Sequence, residues 1–144
     1  MGKTNAMLEK VMLIDDDQFV LMMNELLLRS SEFAKSITTV MGVNEAIAHL
    51  ELISRNTTNL TFPDVIFLDL DMPDKTGWDF LDEVAMAYPE FQQLSKVIIL
   101  SSSIIDLHYE KAKHYPAVIA LVPKPLKLES LLEFKKLAFF ERFF

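Results

Sequence analysis

The stretch "DVIFLDLDMPDKTGWDFL", residues 64–81, joins an unbroken apolar run to two aspartates and then to a segment with helical spacing. A short run rich in β-branched and aromatic residues fits a strand buried on both faces, as strands of parallel sheets are. Helical spacing over 77–87 makes the whole a strand, loop and helix. Taken alone, Asp69 and Asp71 would be a surface acidic pair; their place directly after a strand of buried type overturns that reading. Gly77 reads most simply as a turn glycine that relaxes the chain before the helix.

Outward from this unit the same alternation repeats. "VMLI" (11–14), "ITTV" (37–40), "KVIIL" (96–100) and "AVIALV" (117–122) are further buried-type strands, and 18–30, 43–55, 104–114 and 127–140 carry helical spacing. Five strands alternating with five helices predict an α/β fold with a parallel sheet covered on both faces. A length of 144 residues suits one domain. The longest polar connection, "SRNTTNLTFP" (54–63), reads as an exposed loop ending at Pro63. There is no internal repeat, low-complexity tract or linker to a second domain.

Hydrophobic residues at 51% and charged residues at 24% exclude general disorder. Without cysteine there are no disulfides or thiolate metal sites, which is compatible with a reducing cytoplasm. No apolar run approaches the ~18 residues of a membrane span, and the first residues lack a signal peptide's apolar stretch. Ala6 breaks the myristoylation pattern. Asn56-Thr57-Thr58 and Asn59-Leu60-Thr61 match glycosylation acceptors, but with no secretory signal both read as polar loop. The expectation is a cytoplasmic protein without membrane insertion. A formal charge of −7 argues against direct nucleic-acid binding and favours basic partners or bound cations.

In open α/β sheets, ligands bind beyond the carboxyl ends of the strands. Asp15, Asp16 and Asp17 follow the first run, Asp69 and Asp71 the third, Ser101, Ser102 and Ser103 the fourth, and Lys124 the fifth. The second offers only Met41 and Gly42. Two carboxylates about 4 Å apart repel by roughly 4 kcal/mol at an effective dielectric of about 20, so a cation should sit among the aspartates. Carboxylates from different strands form an oxygen cage suited to Mg²⁺, which accepts phosphate oxygens as further ligands. Lys124 and Ser101 are of the right type to meet a phosphoryl group beside it, and Asp69 could be the nucleophile that takes that group.

The plainer readings are local. Asp17 reads as the N-cap of the helix starting near Gln18, and Ser102 and Ser103 are cap candidates too. Lys124 by itself would be a solvated lysine. His49, His108 and His114 have no ligand spacing with one another. The apolar stripe from "MMNELL" to "LLRS", within 22–30, reads as core.

"MLIDDD", "VIFLDLDMPDKTGWDFL", "VIILSSS" and "VPKPL" resemble, in order and spacing, the four signature segments of the receiver domains of two-component response regulators. The resemblance implies a flavodoxin-like doubly wound sheet of order 2-1-3-4-5 with five helices. It divides the chain into an extension (1–9), a receiver domain (10–140) and a tail (141–144). It implies that Asp15 and Asp16 are the acidic pair at Mg²⁺, with Asp16 the direct ligand. Asp69 matches the phosphoacceptor and a further metal ligand, and Asp71 would give the ion its backbone carbonyl. Ser101 and Lys124 match the hydroxyl and the lysine that meet the phosphoryl group, and Lys124-Pro125 is the candidate cis peptide. The implied donor is a histidine kinase or histidine phosphotransfer protein, and the implied receiver of the signal a downstream protein effector. Many receivers carry Tyr or Phe three residues before the lysine; here Leu121 stands there, so switching is expected to run through the loop from Ser101 to Ile105.

Two other classes compete. "FLDLDMP" also resembles the nucleophile motif of haloacid-dehalogenase-type phosphatases, but Pro73 stands where Thr or Val is expected and the acidic pair after the lysine is missing. A receiver-shaped module that is never phosphorylated loses ground because every chemical position is filled. No output domain is legible after the domain, so the expectation is a stand-alone receiver that is a signalling protein, not an enzyme. The C-terminal Phe134, Phe139, Phe140, Phe143 and Phe144 read in part as core, and a homodimer or partner contact is the sharper reading of the remainder.

Overall fold

In the computed structural model, residues 7–55, 61–137 and 140 are described. Ala6, Asn56, Asn59, Phe139, Phe143 and Phe144, on which some expectations fall, lie outside them. The elements alternate as β1 (Leu8–Ile14), α1 (Gln18–Ser30), β2 (Ala34–Val40), α2 (Val43–Arg55), β3 (Val65–Asp69), α3 (Gly77–Ala87), α4 (Phe91–Leu94), β4 (Lys96–Ser101), α5 (Asp106–Ala112), β5 (Val118–Pro123) and α6 (Leu128–Phe134). The strands form one parallel sheet in the order β2-β1-β3-β4-β5. This is the expected flavodoxin-like topology.

Side chains of a strand alternate between faces, and the sheet uses both. Met12, Ile14, Ile66, Leu68, Val97 and Ile99 share one core with Ala46 and Leu50 of α2 and Phe80 and Val84 of α3. Val11, Leu13, Val65, Phe67, Ile98 and Leu100 share the other with Leu21 and Leu28 of α1 and Leu131 and Phe134 of α6. β3, in the middle, is buried at all five positions. Its register sets Leu68 beside Ile14 and Asp69 beside Leu100, so the strands end at one edge of the sheet.

Several expectations are corrected. A sixth helix, the single turn α4, precedes β4; Phe91 from it is buried against Phe80 at 6.3 Å between ring centroids. Pro63 is not exposed: it is buried, and Ser95 Oγ donates to its carbonyl at 2.6 Å. The α1 stripe is only partly core. Leu21 and Leu28 face inward, whereas Phe19, Met22, Met23 and Leu26 lie on the surface, because the helix is apolar on more of its circumference than one sheet can cover. The last helix ends at Phe134, yet Phe134 and Phe140 are both buried, against Phe67 and Phe33 respectively, as the core reading of the C-terminus requires.

Candidate functional site

β1, β3, β4 and β5 bring the expected residues together at the carboxyl edge of the sheet. Asp15 and Asp69 are buried at 3% and 1% exposure, and Ser101 is wholly buried. Lys124 Nζ bridges the two carboxylates, 2.8 Å from Asp15 Oδ2 and 3.1 Å from Asp69 Oδ1. It is no solvated lysine. The peptide bond that follows it, Lys124-Pro125, is cis.

Backbone amides of the strand-end loops turn back onto both acids. Asp17 N–H donates to Asp15 Oδ1 at 2.9 Å, and Asp71 N–H to Asp69 Oδ1 at 3.1 Å. Asp69 Oδ2 is buried without a hydrogen-bond partner among the described residues. Burial, then the like charge of Asp15, pushes the Asp69 carboxyl up to about 6, against the opposing pull of the Asp71 amide and Lys124. For Lys124, burial works downward, but the hydrogen bonds and charges of Asp15 and Asp69 outweigh it and hold the ammonium above the ordinary lysine value.

Asp15, Asp16 and Asp69 each offer a carboxylate oxygen, all within 4.8 Å of one another. An oxygen-only donor set with one buried orphan oxygen fits a hard divalent cation such as Mg²⁺. Asp71 contributes no carboxylate to this group. Its Oδ2 instead accepts from Ser101 Oγ at 3.0 Å and lies 3.4 Å from Ser102 Oγ.

Asp17 is the N-cap of α1, its Oδ1 accepting from the amides of Phe19 and Val20. Ser102 and Ser103 cap nothing. Ile105 occupies the N-cap position of α5, and His108 Nδ1 accepts its amide at 3.2 Å. Gly77 also differs from its expected role. Its φ lies outside the left-handed region, but a Cβ there would sit 2.7 Å from the Asp69 carbonyl oxygen, so glycine lets α3 start hard against the end of β3. Neither the Asp71–Ser101 bond nor this approach left a mark in the sequence, because each depends on how two loops fold over one another.

The response regulator receiver domain family matches residues 11–135 of the chain. Among curated proteins, the two-component response regulator ARR12 of Arabidopsis thaliana is 29% identical over 122 residues, 85% of this chain. The chain spans only 18% of that relative's length. The crystal structure of a two-component response regulator from Cytophaga hutchinsonii superposes with a TM-score of 0.79 at 29% identity, covering 89% of this chain and 96% of that one. A response regulator receiver protein from Dyadobacter fermentans gives 0.73 at 31% identity, covering 89% and 95%. None of these matches favours the phosphatase reading.

Proposed function

Because the chain belongs to the response regulator receiver domain family, we propose that it accepts a phosphoryl group on Asp69 from a histidine kinase or histidine phosphotransfer protein in the cytoplasm. As a receiver domain of two-component response regulators it is a signalling module, not a classical enzyme. Among the described residues no helix is long and apolar enough to cross a membrane.

The observation that supports Asp69 is its Oδ2: a buried carboxylate oxygen with no hydrogen-bond partner among the described residues, beside Asp15, Asp16 and Lys124. An oxygen of Asp69 attacks the phosphorus of the donor phosphoimidazole. The P–O bond forms as the P–N bond breaks, and the leaving imidazole keeps the electron pair and is protonated from solvent. Asp15, Asp16, Asp69 and the Asp71 carbonyl would hold Mg²⁺, which when bound offsets the charge of carboxylates and phosphoryl group alike. Lys124, already 3.1 Å from Asp69 Oδ1, pairs with a phosphoryl oxygen, and Ser101 donates its hydroxyl to another. Drawing Ser101 toward the phosphoryl group moves the loop to Ile105, and through it the surface offered to a protein effector. Leu121, half-buried and paired in register with Ile99, only repacks.

Incubation with acetyl phosphate and Mg²⁺ should leave one acid-stable, base-labile phosphoryl group, visible by mass spectrometry and absent from Asp69→Asn. Label persisting in that variant would sink the assignment.

A further inference from the structure

Ser101 is already engaged before any phosphoryl group arrives. Its Oγ lies 3.0 Å from Asp71 Oδ2 and 3.0 Å from the Ser103 carbonyl oxygen, while accepting the Ser103 amide at 3.2 Å. A hydroxyl has one proton to give, and a carboxylate is the stronger acceptor, so that proton goes to Asp71. Ser102 Oγ, at 3.4 Å, approaches the same carboxylate oxygen.

Resting on the reading of Asp69 as phosphoacceptor, we propose that the Asp71 carboxylate is a latch: it holds the Ser101 hydroxyl in the resting state and sets how readily the loop switches. A phosphoryl group on Asp69 is a rival anion for the same proton. The drive to switch is therefore the difference between two charge-assisted hydrogen bonds rather than the whole of one. When Ser101 leaves, Ser102 stays beside Asp71, so the carboxylate is not stranded. Ser101 cannot leave alone, because the Ser103 amide bonds its Oγ and pulls the next turn of chain along. α5, which follows this loop, contributes no fully buried side chain and so resists little. Asp71 acts here as a positioning residue, through Ser101.

The test uses beryllium fluoride with Mg²⁺ as phosphoryl mimic, with amide spectra over 101–105 reading the loop. Asp71→Ala should bind the mimic about 10-fold more tightly than wild type, the size of one charge-assisted hydrogen bond no longer broken, and show a larger displaced fraction of the loop. Asp71→Asn, which keeps an uncharged acceptor, should fall between. In a Ser101→Ala background the effect of Asp71→Ala should shrink to about twofold or less, within the scatter of independent sites. An equal gain in both backgrounds would make Asp71 a mere neighbouring charge, and weaker binding by Asp71→Ala would make its carboxylate a ligand of the ion; either overturns the latch. Wild type that fails to bind the mimic overturns the Asp69 reading itself, and the latch with it.

Discussion

Gly77 shows how narrow the tolerance around Asp69 is at the scale of one residue. A methyl group there would stand 2.7 Å from the Asp69 carbonyl oxygen and 3.1 Å from Leu70 Cα, both backbone atoms that move only if the strand end moves. Gly77→Ala should therefore cost about 1–3 kcal/mol in urea unfolding, as overpacking does. It should also shift the Asp69 and Leu70 amide resonances; a variant with unchanged stability and spectra would remove the close-approach role. The sequence could not suggest this, since glycine before a helix is explained locally by turn chemistry, and nothing local records a second backbone passing 2.7 Å away. Asp15, Asp69, Ser101 and Lys124 were legible for the opposite reason. Asp15, Asp69 and Ser101 directly follow runs of buried type and Lys124 follows the fifth run after Pro123, and parallel strands necessarily end at one edge, so their meeting is a consequence of topology. The Asp71 side chain sits two residues past its strand, where loop geometry rather than strand direction decides what it touches.

The elements were legible where burial and local chemistry agree. α1 begins where Asp17 caps it, and α3 where Thr76 and Asp79 exchange hydrogen bonds, 2.8 Å from the Thr76 amide to Asp79 Oδ2 and 3.3 Å from the Asp79 amide to Thr76 Oγ1. Asp17→Ala should cost about 1 kcal/mol of stability, the usual worth of an N-cap. Mg²⁺ affinity should stay unchanged, because the contact of Asp17 with Asp15 is made by its backbone amide. A large fall in affinity by calorimetry would instead give the Asp17 carboxylate a place at the ion. α4 was missed because four residues are too few to show a helical period. The outer face of α1 was misread because periodicity reports that a stripe is apolar, not how much of it a neighbour covers. α5 stands apart from the other helices packed on the sheet: its hold is aromatic, through Trp78 of α3. The indole stacks on Tyr115 at 5.6 Å between centroids, lies 6.3 Å from the His108 ring and has Lys111 Nζ at 4.9 Å, while Tyr115 donates to Asp82 at 2.8 Å. Three half-buried rings and an exposed lysine, drawn from two helices and the loop after α5, give no period, so this clasp was not visible in the sequence.

For the molecule as a whole, the site is a conflict that the fold holds together. The sheet buries Asp15 and Asp69 side by side in a chain of net charge −7, and Lys124 compensates only part of that burden. The sign of the resulting pH dependence follows from the Asp69 carboxyl, which is raised from 3.8 to about 6 on folding. Between those values the folded chain holds a proton that the unfolded chain releases, so rising pH favours unfolding, by about 1–3 kcal/mol across the window. Lys124 does not mask this. Held above the ordinary lysine value, it keeps its stabilising charge throughout the window and loses it only when pH rises through its own folded pKa. The informative quantity is the difference from Asp69→Asn, which has nothing to ionise at that position and so isolates the contribution of this one carboxyl. In chelator, wild type should lose stability relative to Asp69→Asn between about pH 4 and pH 6 and remain the less stable of the two at neutrality. Excess Mg²⁺ should narrow the gap near neutral pH but not near pH 4, because an ion that binds only the folded, ionised site stabilises it by mass action, about 2.7 kcal/mol at a hundredfold excess over Kd. Urea titrations of both proteins at several pH values, with and without the ion, measure this directly. Parallel pH profiles in chelator would mean that Asp69 is not the strained carboxylate; a gap indifferent to Mg²⁺ would mean that the ion does not bind there.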